Sequence, residues 1–154
     1  MEARRIMDTA KPFLVLASVG VGLVAALHLA LSARAAELLG SARTANAVFW
    51  SVGALTAIVV MLAGGDGAAL RRLGAVPAGL WTAGALGASI VLAISVIIPR
   101  LGTGPTMVAL LLGQVLLGAA LSHYGLFGSP TIQLTALRGL GAALMGLGVW
   151  LVVR

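Results

Sequence analysis

Five apolar runs of 19 to 21 residues, joined by short polar loops, leave this chain few ways to fold. They fall at about Pro12–Ser32, Ala45–Ala63, Ala78–Ile98, Gly104–Ser122 and Leu134–Val153. A helix of roughly 20 residues, rising 1.5 Å per residue, crosses a hydrocarbon layer of about 30 Å. Backbone amides in hydrocarbon have no water to bond to, so each run must close its hydrogen bonds internally, as a helix. The expected fold is therefore an all-α integral membrane protein with five transmembrane helices. Composition agrees: 60% of the 154 residues are hydrophobic, 9% are charged, and the mean hydropathy is +1.11. A soluble domain of this size could not hide that much apolar surface. The loops at Ala33–Thr44, Gly64–Pro77, Pro99–Thr103 and His123–Gln133 are too short for a separate folded unit, so a single membrane domain over residues 1–154 is expected.

The chain opens with a polar arm, Met1–Lys11, that carries Arg4, Arg5 and Lys11. A positive start before an apolar run can mark a signal peptide, but the run that follows is too long for one and more spans come after it. Pro12 suits the first helical position, where its missing N–H would have no partner anyway.

Ten Lys/Arg stand against four acids. They fall one to three at a time between the apolar runs, which suits loops facing an anionic lipid surface and not a nucleic-acid partner. With five spans the termini face opposite sides. Arg4, Arg5, Lys11, Arg71, Arg72 and Arg138 lie on the amino-terminal side, against Arg34, Arg43, Arg100 and Arg154 on the other. That balance orients the N-terminus to the cytoplasm under the positive-inside rule. It is narrow enough to leave insertion in both orientations open, as well as pairing with an inverted partner.

Small residues recur every fourth position: Ser18, Gly22, Ala26 and Ala30 in the first span, Ala85, Ser89 and Ala93 in the third, and Gly139/Ala143 with Ala142/Gly146 in the last. That spacing allows helix backbones to approach closely in lipid. It predicts close helix packing, with the last helix a candidate dimerisation face.

Groups able to carry chemistry are few. The chain contains no cysteine, which excludes disulfides and thiolate metal sites, and no cofactor is expected. No Asp or Glu lies inside a span, so a buried carboxylate that exchanges a proton for a cationic substrate is missing, and so is the machinery of an intramembrane hydrolase. An enzyme is not expected. Gln114, near the middle of the fourth run, needs a partner because an amide in hydrocarbon has no water. With Thr106, Gly118 and Ser122 it forms a polar-to-small stripe that serves either a substrate cavity or an interhelical hydrogen bond.

His28, with Ser32 one turn later, lies about 160–200° from the small stripe of its helix. It is either a cavity group able to couple protons or a hydrogen-bonded structural histidine. Trp50, Trp81 and Trp150 sit near span ends, as aromatic belts do, and Gly84 and Gly87 would leave room beside Trp81. Arg138, about one turn into the last helix, either snorkels to the interface or binds an anionic group.

The run P-R-L-G-T-G-P-T…G-Q…S-H-Y-G-L-F-G from Pro99 to Gly128, with W-T-A-G-A-L-G-A before it and L-R-G-L-G-A-A-L-M-G-L-G-V-W-L after it, resembles the YdcZ-type branch of the drug/metabolite transporter superfamily. The resemblance covers nearly the whole chain and is strongest from Trp81 to Leu151. It places Gly53, Gly102, Gly113, Gln114, Gly125 and Gly128 on the family's pattern. Two departures stand out. His28 and Ser32 occupy positions where glutamine and asparagine are expected, and Ser122 stands where an aspartate usually precedes the histidine.

The resemblance implies a half-transporter of the inner membrane, completed by an inverted second copy or a homologous five-helix partner. On this reading an antiparallel dimer moves a small metabolite or amphiphilic compound by alternating access. Gln114, His28, Ser32 and Trp81 would line the cavity, with Arg138 and Ser122 as secondary contacts. A passive dual-topology channel and an accessory subunit without its own pathway are the alternatives.

Overall fold

The computed structural model describes the backbone of residues 2–154 and the side chains of residues 12–154. It is all-helical: α1 (Glu2–Leu38), α2 (Ala42–Ala63), α3 (Thr82–Leu101), α4 (Thr103–Tyr124) and α5 (Ala136–Val153), with 3-10 turns at Asp66–Ala75, Ala78–Trp81 and Leu126–Gly128. Five helical segments are long and apolar enough to cross a membrane, the third taking in the 3-10 turn Ala78–Trp81 ahead of α3.

The helix ends follow from local chemistry. The expected loop from Ala33 is instead helix through Leu38. Ala33, Arg34, Ala35 and Ala36 are strong helix formers, and Arg34 pairs with Glu37 at 3.0 Å on the same face. The chain turns only at Gly40, whose φ of +60° suits glycine, and Ser41 caps α2 by accepting from the Thr44 N–H at 3.2 Å. The helix also begins before Pro12, so Pro12 lies inside α1, at the start of its apolar part and not at its first residue.

Gly102 alone separates α3 from α4, with φ +89° and ψ 155°, a region essentially restricted to glycine. Helix α3 runs on through Pro99 to Leu101, and Pro105 sits in the first turn of α4, where an N–H is dispensable. Gly125 ends α4 in the left-handed conformation, and a Cβ there would meet Thr131 Oγ1 at 2.8 Å.

The described residues form two compact units, 1–96 and 97–154. In the first, α1 packs on α2, and α2 on the 3-10 turn Asp66–Ala75. In the second, α4 packs on α5 and on the 3-10 turn Leu126–Gly128. Buried side chains are small or few: Ser32, Ala33, Ala36 and Ala45, then Val91, Ile94, Ser95, Ile98 and Thr106. Large apolar side chains face outward instead, with Phe13 at 72% and Leu137 at 77% exposure. In water that arrangement would be strongly unfavourable, whereas lipid tails solvate it.

The small-residue stripes do not lock helices of this chain together at their glycines. An added Cβ at Gly22, Gly139 or Gly146 would meet nothing within 4 Å, and Ala85, Ser89 and Ala93 are exposed. A glycine does admit a neighbouring helix's side chain at Gly87, where an added Cβ would stand 3.1 Å from the Trp50 ring.

Candidate functional site

Hydroxyls within an apolar span are usually satisfied by the carbonyl one turn back. Here Ser18, Ser32, Ser51, Thr56, Ser89, Ser95 and Thr106 all donate to the i−4 carbonyl, at 2.6–2.9 Å. Ser122 makes no such bond among the described residues. Gln114, an amide with two donors and an acceptor, has no hydrogen-bond partner among them either, and it is exposed on the middle of α4.

The stripe along α4 thus changes character. Thr106 is buried and bonded to the Gly102 carbonyl, whereas Gln114, Gly118 and Ser122 present open positions. Gly118 and Ser122 line a groove of about 390 Å³ between α4 and α5, together with Val115, Ile132, Leu134 and Arg138. Gln114 lies one turn further along the same stripe, outside that lining. Arg138 is exposed; its backbone N–H donates to Thr135 Oγ1, the cap of α5, and its Nη1 donates to the Gln133 carbonyl at 2.7 Å. The Ile132 N–H donates to the Ser122 carbonyl at 2.9 Å and draws the segment before α5 against the end of α4.

A second groove, of about 540 Å³, opens beside the first. Val115, Leu116, Ala119, Ala142 and Met145 form its walls, and His123, Tyr124 and Arg138 lie toward one end. His123 Nδ1 accepts from the Leu134 N–H at 3.3 Å, which leaves the ring proton of the neutral form on Nε2.

The first unit holds the remaining residues singled out in the sequence. Ser32 is 1% exposed and donates to the His28 carbonyl at 2.9 Å. The His28 ring meets the Phe49 ring edge-on, with centroids 6.1 Å apart. Trp81 ends a 3-10 turn and is 54% exposed. Because α3 begins only at Thr82, the space at Gly87 does not belong to Trp81. Trp50 of α2 fills it.

Beside that contact lies a residue the sequence reading passed over. Asn46 Nδ2 donates to the Ala88 carbonyl at 3.2 Å and ties α2 to α3, while its Oδ1 is buried without a partner among the described residues. The available signal was the same as for Gln114, an amide inside an apolar run. It was masked because Asn46 stands beside the polar start of that run.

Among the described residues no three His, Cys, Asp or Glu side chains come together as a metal site would require. Among curated proteins and among solved structures there is no significant match to this chain. A family model does match, over residues 13–151: the DMT_YdcZ family, described as "Putative inner membrane exporter, YdcZ". The chain belongs to this family. YdcZ-type proteins are thus described as membrane exporters and not as enzymes, and the five apolar helices fit a multi-pass protein of the inner membrane. The match takes in both units, the α4 stripe and the turn at Gly125–Gly128.

Proposed function

We propose that this YdcZ-type chain is one half of an export pathway, a subunit that moves a small metabolite or amphiphilic compound by alternating access. The supporting observation is Gln114. An amide unpaired among the described residues costs about 1–3 kcal/mol in an apolar setting, so a group beyond those residues is needed to meet it. A substrate passing a water-filled cavity, or an inverted second copy or homologous five-helix chain beside it, supplies that partner. The unfilled positions at Gly22 and Gly146 also suit a neighbouring chain.

In this reading Gln114, His28, Ser32 and Trp81 contribute to substrate binding, with Ser122 and Arg138 as secondary contacts. Ser32 acts through His28, whose carbonyl it holds. The N-terminus faces the cytoplasm in the favoured orientation.

A thermal-shift screen of small metabolites and amphiphiles on purified protein identifies a ligand, and proteoliposome flux then measures its movement. Gln114→Leu is expected to lower that flux at least about tenfold, the effect of losing one hydrogen bond made during transport. Unchanged flux with intact folding would reduce Gln114 to a packing role. Flux that never saturates would indicate a channel, and flux appearing only with an added partner chain an accessory subunit. Cysteines introduced at Glu2 and Asp66 are expected to label from the same side in any one orientation.

A further inference from the structure

The groove bounded by Val115, Leu116, Ala119, Ala142 and Met145 is apolar along its length and cationic at one end. Its walls reach from His123 and Arg138, at adjoining ends of α4 and α5, to Val115 and Met145. Those are seven or eight residues deeper along each helix, about 10–12 Å at 1.5 Å per residue. The polar end therefore lies toward the membrane surface and the apolar end within the hydrocarbon. Glycine and alanine at Ala119, Gly139 and Ala142 keep the channel deep, since no large side chain projects into it from those positions.

The charge at the head of the groove has no protein counterpart of opposite sign in its own region. Asp66 is the last acidic side chain in the sequence, whereas Arg71, Arg72, Arg100, Arg138 and Arg154 all follow it. Of the Arg138 guanidinium donors, one is engaged, by the neutral Gln133 carbonyl; the others have no acceptor among the described residues. His123 adds an Nε2–H beside it.

We infer that this groove holds an anionic phospholipid of the surrounding bilayer, with an acyl chain along Leu116, Ala142 and Met145 and its phosphate on Arg138 and His123. The charge favours this occupant over an apolar helix face of a second copy, which would bring hydrocarbon to the cation and, from residues 67–154, no acidic side chain. The inference does not rest on the transport reading: the two grooves share Val115, Ala119, Leu134 and Arg138, but Leu116 and Ala142, which carry the acyl chain, line only this one.

The test is competition for the purified, delipidated full-length protein between phosphatidylglycerol and phosphatidylcholine with identical acyl chains, read by native mass spectrometry. Wild type is expected to prefer phosphatidylglycerol about tenfold, because both lipids offer the phosphate but the choline of phosphatidylcholine would bring a fixed cation beside Arg138. Arg138→Gln should bring the preference to within about twofold, Arg138→Lys should retain most of it, and Ala142→Leu should lower the binding of both lipids. Equal binding of the two lipids by wild type, or a preference that survives Arg138→Gln, would overturn the assignment. So would an efficient disulfide between two copies of Ala142→Cys, which would put a second chain in the groove; the cysteine-free background makes that readout unambiguous.

Discussion

Ser95 and Ser122 both lie in apolar helices, in the first and second units, yet they are treated differently. Ser95 is 3% exposed and donates to the Val91 carbonyl at 2.8 Å; Ser122 lines a groove and donates to nothing among the described residues. The same contrast runs through the two amides. Asn46 ties α2 to α3, while Gln114 projects from α4 without a partner among the described residues. Polar groups of residues 1–96 largely hold their own helices, whereas Gln114 and Ser122 of α4, and all but one of the Arg138 guanidinium donors on α5, have no partner among the described residues. In a bilayer, where apolar contacts cost lipid contacts of equal kind, internal polar bonds help specify a fold and unpaired ones mark what it meets.

That contrast can be broken by comparing stability with transport. The largest effect expected is in flux: Gln114→Leu lowers it at least about tenfold, while its unfolding midpoint in detergent stays the same or rises. A matching loss of stability would place Gln114 with Asn46 as a structural group. Gly87→Leu comes next, since the new side chain must displace the Trp50 ring from its 3.1 Å approach. Overpacking of this kind costs about 1–3 kcal/mol, measurable by denaturant titration in micelles. Asn46→Ala should cost about 1 kcal/mol and leave flux per folded molecule unchanged, as expected for an interhelical bond in lipid. Ser122→Ala should shift stability by less than about 0.5 kcal/mol, because no bond is lost, and still reduce flux. Reversal of the last pair, with Asn46 governing flux and Ser122 stability, would invert the assignment of roles.

The spans and most of the turns are legible in the sequence because they depend on local facts. Twenty apolar residues must be helical in lipid, and Gly102, Gly125 and Gly128 punctuate the chain where φ is positive. The extension of α1 to Leu38 was hidden because apolarity ends near Ser32 while helix propensity does not: Ala33–Leu38 is polar enough to read as loop and helical enough not to be one. Trp50 at Gly87 depends on which helix faces which, and so does the juxtaposition of Ser122 with Arg138 across α4 and α5. Such pairings carry no periodic signal within one span. The small-residue stripes were legible as stripes, but periodicity cannot say whether a neighbour from the same chain fills them. At Gly22, Gly139 and Gly146 none does.

On the proposed function, Gln114 faces a water-accessible pathway and not lipid. Because the protein lacks cysteine, a single Gln114→Cys reports on that position alone. A thiol reacts as its thiolate, which forms in water and is suppressed in hydrocarbon. Leu116, 51% exposed and about 200° around the helix, is the matched control. With a charged, membrane-impermeant thiol reagent in intact membranes, Gln114→Cys is predicted to label while Leu116→Cys stays silent. Silence at both positions would instead put Gln114 in lipid or in a dry helix contact, off any aqueous pathway.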